Sequence, residues 1–386
     1  MLSHLPPPPP EAQAISDQLC ALIANEIQVA GGWISFARFM ELALYAPGLG
    51  YYSAGSRKLG ADGDFVTAPE ISPLFARCLA RQLAQLSQQG LTSVLELGAG
   101  SGALAAELLL EMDKLGCAPD SYLILELSAD LRERQRTCIV ERAPAQLHRV
   151  RWIDVLPAGF EGVIIANEVL DATPAHIVTT CGGEILEGYV QRWVGDNPFM
   201  WYETTASEEV RCIAKTLNLP NDDYKSEINL TSRALVASLM RVVKRGVALF
   251  IDYGFPAREY YHPQRDRGTL MCHYRHHAHD DPFAFIGLQD ITTHVDFSAI
   301  AAAAQRAGAQ VLGYTSQANF LINCGITDLL AGTPADNARA YAPLAGQVQK
   351  LTSPAEMGEL FKVLALGKGV DATLMGFARG DRSHTL

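Results

Sequence analysis

Short, wholly apolar runs alternate with stretches of helical periodicity through the middle of the chain. Residues 94–97, 122–126, 150–153, 162–166 and 246–251 read as strands. Helices follow from near Ala103 to about Leu115, after a Ser128 cap, and over 232–244. The run 162–166 has no polar alternation, as expected of a parallel strand covered on both faces. Strand, helix, strand at this rhythm predicts an α/β fold with a doubly wound parallel sheet. Ahead of it, Ile15, Leu19, Leu22, Ile23 and Ile27 mark one face of a helix over 11–29 that stops at Gly31-Gly32. Ser35 caps a second helix through Tyr45, with Phe36, Phe39, Met40 and Leu44 as its buried stripe. Ser72 followed by Pro73 opens another, to about Leu86.

Two stretches break the rhythm. Residues 176–202 read as a hairpin turning at Gly182-Gly183, and 255–353 as a subdomain of loops and helices with one helix over 296–307. Strands resume at 360–366 and 373–377, and no internal repeat is visible. The expected organisation is a Pro-rich tail (1–10), a helical segment with a lid loop (11–90), and a core (91–254) carrying a hairpin insertion near 176–205. An inserted subdomain (255–353) and the last core strands (354–386) follow.

The loop between Tyr45 and Ser72 is rich in Gly, Pro and aromatic residues, and loops of that length are commonly functional lids. The net charge of −11 argues against a general nucleic-acid binder, which neutralises phosphates with Lys and Arg. The 8 cysteines include no Cys-x-x-Cys pair, which fits a reducing compartment. No apolar run reaches the ~18 residues of a membrane span. Met1 to Pro10 has no secretory signal pattern and is not an Arg-rich transit peptide. A cytoplasmic location is the expectation, with the mitochondrial matrix only for a eukaryotic source.

The chemistry concentrates where the predicted strands end. After Val94-Leu95-Glu96-Leu97 comes Gly98-Ala99-Gly100-Ser101-Gly102, a turn whose backbone can approach a bulky ligand. Its spacing, Gly-x-Gly-x-Gly, is not the Gly-x-Gly-x-x-Gly of dinucleotide folds. Glu96 would repel a pyrophosphate but suits the positive amino-acid end of S-adenosylmethionine (SAM). In open parallel sheets the ligand lies beyond the carboxyl ends of the strands. Those ends offer Glu126 for ribose hydroxyls, Asp154 for the adenine amino group, and Asn167, Glu168 and Asp171 after the fourth strand. Asp252 and Tyr253 follow the fifth. A nicotinamide enzyme would also want an acid near Glu126, and Asp154 also suits a helix cap.

Glu168 and Asp171 share one face if a helical turn follows the strand; the alternative is a helix start with favourable dipole charges. Paired acids suit a reaction between two cations, the SAM sulfonium and a guanidinium. Such charges about 4 Å apart repel by ~4 kcal/mol at an effective dielectric of ~20. Carboxylates offset that repulsion and orient the attacking nitrogen. Tyr51, Tyr52, Asp64, Asp252 and Tyr253 are the candidate substrate-facing residues, aromatic rings serving to exclude water and meet the sulfonium. His294 is a candidate proton acceptor, with Asp296 able to act as a helix cap. The histidines of 273–279 lack the helix or cysteine pair that would fix a zinc geometry, so no metal is assigned.

The ordered motifs YAPGLGYY, GDFVTAPEIS, ELGAGSG, ANEVLDATP, IDYG, GTLMCHYRHH and DITTHVDF resemble the MidA-like family of SAM-dependent methyltransferases from about Gly31 onward. The family includes mitochondrial complex I assembly factors that methylate arginine. The resemblance implies a class I methyltransferase (Rossmann-like) core with added helices. It implies that Gly98, Gly100 and Glu126 bind SAM, that Asn167 and Glu168 flank the sulfonium, and that the GDFVTAPEIS loop brings Thr67 and Glu70 to the cofactor. Thr173 departs from the larger apolar residue expected before Pro174. The expected function is SAM-dependent protein-arginine N-methylation of a complex I subunit or similar client. The alternatives are a non-catalytic SAM-binding assembly factor and an NAD(P)-dependent oxidoreductase. A protein substrate is the expected partner, with homodimerisation left open.

Overall fold

The computed structural model describes residues 5–54, 67–195, 197–334 and 336–386. The chain forms two compact units. One comprises Met1–Phe65, Asp171–Ala234 and Phe255–Asp296; the other Val66–Leu170, Leu235–Gly254 and Phe297–Leu386. Among the described residues no helix is long and apolar enough to cross a membrane.

The second unit carries the sheet that the apolar runs predict. Its strands are β2 (Ser93–Leu97), β3 (Ser121–Leu125), β4 (Val150–Ile153), β5 (Phe160–Asn167), β10 (Val243–Phe255), β15 (Gln310–Ser316) and β16 (Phe361–Lys368), in the order β15-β16-β10-β5-β2-β3-β4. β2, β3, β4, β5 and β10 pair in parallel, and β16 runs against both of its neighbours. From β2 the chain steps outward to β3 and β4, then returns to lay β5 on the opposite side of β2. The topological switch point, where open α/β sheets bind ligands, therefore lies between β2 and β5.

Helices α4 (Pro73–Ser87), α5 (Ala103–Lys114) and α6 (Ala129–Arg142) flank this sheet. Ser72 caps α4 through the Leu74 N–H and Ser128 caps α6 through the Leu131 N–H, as read from sequence. Leu79, Leu83, Leu104, Leu108, Tyr122, Ile124, Val163 and Leu249 lie in one continuous core. The sequence reading needs two corrections here. Residues 310–316, expected inside an insertion, pair with β16, so 297–353 belong with the sheet. Residues 373–377, expected as a strand, include a 3-10 turn at Met375–Phe377 whose Phe377 packs on Phe320.

In the first unit, α1 (Pro10–Val29) and α2 (Phe36–Tyr45) bury Leu19, Ile23, Phe36, Phe39 and Met40 in one core. The predicted hairpin is β6 (His176–Cys181) and β7 (Glu184–Arg192), turning at Gly182-Gly183. It is the centre of a larger antiparallel sheet with β1 (Trp33–Ser35), β8 (Phe199–Thr205) and β9 (Tyr224–Ile228). A second small sheet joins β11 (Met271–Tyr274), β12 (His277–His279) and β13 (Asp290–Thr292); β14 (Val295–Asp296) follows. Thr173, the departure noted in sequence, is buried, and its hydroxyl accepts from Asn229 at 2.8 Å, so a polar residue is accommodated.

Candidate active site

At the end of β2 the chain turns through Gly98, Gly100 and Gly102 with φ of 58, 54 and 85°, left-handed conformations that L side chains rarely adopt. Gly98 donates to the Leu125 carbonyl at 3.1 Å, tying the turn to β3, and α5 starts at once from Gly102. Ala99 is buried beneath the turn, whereas Gly98 is exposed. Glu126, one residue beyond β3, is 8 % exposed. Its Oε1 accepts from the Ser128 N–H at 2.9 Å and its Oε2 from Gln135 at 3.1 Å. Burial pushes its pKa up, while those two donors and the Arg132 guanidinium pull the other way.

Arg132 pins the next strand end. It donates to the carbonyls of Glu126 and Ile153 and pairs with the Asp154 carboxylate, which is itself exposed. Leu127 and Val155 directly follow Glu126 and Asp154. They are 78 % and 74 % exposed, two large apolar residues open at adjacent strand ends. Sequence reasoning missed both, although an apolar residue immediately after each strand-end acid was the available signal. Such a pair suits a flat apolar ring bracketed by hydrogen-bonding acids.

Across the switch point, Asn167 closes β5 and Glu168 follows with φ of 52°. Left-handed backbone at a non-glycine residue costs energy and clusters at functional sites. The Glu168 N–H donates to the Ile251 carbonyl at 2.8 Å and Asn167 Nδ2 to Glu168 Oε1 at 3.1 Å. Among the described residues Asn167 Oδ1 is buried without a hydrogen-bond partner, an acceptor left open at the strand end.

Other expected site residues are placed differently. Glu96 lies on the core face of β2, 2 % exposed, accepting from the Tyr122 hydroxyl at 2.7 Å, with burial pushing its pKa up to about 7. It is a core acid instead of an open charge facing an amino group. Asp252 is wholly buried and accepts from the backbone N–H groups of Leu170 and Tyr253, both at 2.9 Å. It joins the ends of β5 and β10 and is not substrate-facing. The Tyr253 ring packs on Phe361 at 5.3 Å. Thr67 precedes α3 (Ala68–Ile71) and Glu70 lies within it; both are partly exposed. No helical turn follows β5, so Glu168 and Asp171 do not share a helix face; the left-handed backbone at Glu168 stops the helical continuation.

Asp171 opens the other unit's segment, and there it is buried, with Oδ1 accepting from the Ala172 N–H. Tyr45 donates to the Ala172 carbonyl, and Thr293 N–H to the Asp171 carbonyl, both at 3.0 Å. Tyr52 donates to Asp290 at 3.0 Å and stacks on Tyr45 at 5.5 Å. Burial, then the Asp290 charge, with smaller contributions from Tyr45 and Asp171, holds the Tyr52 hydroxyl well above its usual range. Asp290 was missed in sequence, where the motif that contains it drew attention to His294. Tyr51 is 1 % exposed and is core, a correction to its expected substrate role; its ring closes on Tyr52. The His294 ring lies 5.4 Å from Phe255, and Asp296 accepts from Tyr261 at 3.1 Å with Arg233 at 3.7 Å. Asp64 lies outside the described residues.

A family model described as "Putative S-adenosyl-L-methionine-dependent methyltransferase" matches residues 74–315. The chain belongs to the MidA-like family of SAM-dependent methyltransferases. It is similar to a crystal structure from Burkholderia thailandensis bound to S-adenosyl-homocysteine. The match has 51% identity and a TM-score of 0.95, and covers 99% of this chain and 100% of that one. It is also similar to the mitochondrial protein arginine methyltransferase NDUFAF7 of Danio rerio, 29% identical over 392 residues covering 92% of this chain and 88% of that protein. The human protein of the same name is 26% identical, covering 87% and 80%. SAM is the cofactor of this methyltransferase, and the residues present fit it. The open glycine turn, the two-donor clamp on Glu126 and the unpartnered Asn167 Oδ1 line the carboxyl edge of one sheet. The oxidoreductase alternative falls with the family assignment.

Proposed function

We propose that this methyltransferase acts on the guanidinium of protein arginine. The observation that carries the reading is the strained Asn167-Glu168 pair at the switch point, an acid held where a second cation would approach the sulfonium. Bound SAM supplies an electrophilic methyl on a positive sulfur, which passes to a nucleophilic nitrogen with release of a proton.

In this reading Glu126 receives the ribose hydroxyls, Leu127 and Val155 bracket the adenine, Asp154 meets its amino group, and Thr67, Glu70 and Asn167 complete the cofactor contacts. Glu168 orients the guanidinium, whose pKa above ~12 keeps it charged until methyl transfer, through charge-assisted hydrogen bonds. Tyr253 excludes water, and Glu168 helps carry off the released proton. The names of the relatives from Danio rerio and human support arginine as acceptor. The client is left as an arginine-bearing protein, because the similar solved structures are bacterial and conflict with a part in mitochondrial complex I assembly.

The test is single-turnover transfer of labelled methyl from SAM to cell proteins, with acid hydrolysis to identify the methylated residue. Label on arginine that falls at least 100-fold in Glu168→Gln is the expected result. Label on another residue, or an unchanged rate in that variant, would overturn the assignment.

A further inference from the structure

The inner surface of α6 carries a polar side chain that no strand-end motif contains. Gln135 is completely buried. Its Nε2 donates to Glu126 Oε2 at 3.1 Å and to the Gly100 carbonyl at 3.1 Å, and its Oε1 accepts from Trp152 Nε1 at 2.8 Å. Indole N–H can only donate, so the amide oxygen must face Trp152 and both amide protons must face the carboxylate and the turn. One side chain thereby joins the glycine turn after β2, the acid after β3 and the strand β4. Close approach is built in as well: a Cβ on Gly102 would lie 2.9 Å from Gln135 Cα.

We propose that Gln135 is a positioning residue for the cofactor, holding the Glu126 carboxylate and the Gly100 turn in the one arrangement that receives the ribose. The inference rests on the reading of Glu126 as ribose ligand. With Ser128 N–H on one oxygen and Gln135 on the other, the Glu126 carboxylate cannot rotate, and each oxygen keeps a lone pair for a hydroxyl. Gln135 also favours the charged form of Glu126, which accepts hydroxyl protons more strongly than the neutral acid. The other charged groups acting at this site are Arg132 of α6, paired with Asp154, and Glu96 of β2.

Calorimetric titration with S-adenosyl-homocysteine, from about pH 5 to about pH 8, tests this on the full chain. Gln135→Met keeps the volume and removes the donors; binding should weaken about 10-fold to 100-fold. The acid limb of its binding profile should also move to higher pH, because Glu126 loses a donor that favours its charge. Neither the shift nor the full loss should persist in a Glu126→Gln background. Gln135→Glu gives the opposite sign: weak binding above neutral pH, recovering as the new acid gains a proton it can donate to Glu126. That variant decides the matter if Gln135→Met does not fold. A loss uniform in pH, or one that multiplies in full with Glu126→Gln, would reduce Gln135 to core packing and overturn the proposal. Unchanged binding in Glu126→Gln alone would instead sink the ribose reading beneath it.

Discussion

Replacing Gly102 by alanine measures how tightly the cofactor turn is built into the fold. The residue sits at φ 85°, and the added Cβ would meet Gln135 Cα at 2.9 Å and its carbonyl oxygen at 3.2 Å. Both contacts are backbone of α6, so no side chain can swing aside; the helix or the turn must move. Left-handed backbone costs alanine about 1–2 kcal/mol, and overpacking against a fixed neighbour typically adds about 1–3 kcal/mol. The other end of α5 provides the control. Gly116 has φ 71° with nothing within 4 Å of its would-be Cβ, so Gly116→Ala incurs the conformational cost alone. Thermal unfolding followed by far-ultraviolet circular dichroism should place Gly102→Ala about 1–3 kcal/mol below Gly116→Ala, several degrees in Tm. Binding of S-adenosyl-homocysteine should fall in the first variant and hold in the second. Equal losses of stability in the two would refute the close-approach argument.

Three further outcomes follow from the same edge of the sheet. Glu96 has a folded pKa of about 7 against an ordinary 4.5, so the folded state holds its proton more tightly and stability falls as pH rises through that interval. Glu96→Gln, which keeps an acceptor for Tyr122, should remove about 3 kcal/mol of that decline between pH 4.5 and pH 7; urea unfolding of both proteins at the two ends of the range measures it, and parallel slopes would contradict the reading. Leu127→Ser, at a side chain 78 % exposed, should change stability by less than about 0.5 kcal/mol yet weaken S-adenosyl-homocysteine binding about 10-fold; calorimetry reads the second and heat unfolding the first. Asn167→Ala removes an acceptor that nothing among the described residues satisfies, so it should cost under about 1 kcal/mol of stability while lowering the rate of methyl transfer at saturating SAM.

The parallel strands were legible because each is an apolar run bounded by turn residues, and burial on both faces demands little else of the sequence. The caps at Ser35, Ser72 and Ser128 were legible for the same local reason, a short hydroxyl residue ahead of a periodic stretch. β15 was not. Gln310-Val311-Leu312-Gly313-Tyr314-Thr315-Ser316 has mixed polarity, and it earns its place only by pairing with β16, some fifty residues later in the chain. β16 was visible as an apolar run, but its direction was not, since pairing polarity is a tertiary property. The small sheet around β11 was hidden likewise, its histidines suggesting a loop.

At the sheet edge the strand ends were legible in sequence, but not which way their side chains face. Glu126 and Glu96 are both strand-end acids, yet one stands past the last paired residue and the other one position inside it. Their parity is the same, and what separates them is position along the strand: Glu96 lies inside the paired register and is covered, with Tyr122, while Glu126 stands two positions further on, where Ser128 and Gln135 hold it. Asp252 and Glu168 both lie one residue past the last β5–β10 pair, and they differ because Asp252 is still paired with Lys362 of β16 and is buried. An acid inside the paired register is covered by its neighbouring strands, and one beyond it lies at the sheet edge where a ligand can approach. In the proposed reading the cofactor edge is made of Glu126, Asp154, Asn167 and Glu168, and Gln135, which donates to the Glu126 carboxylate, comes from a helix whose sequence carries no strand-end motif at all.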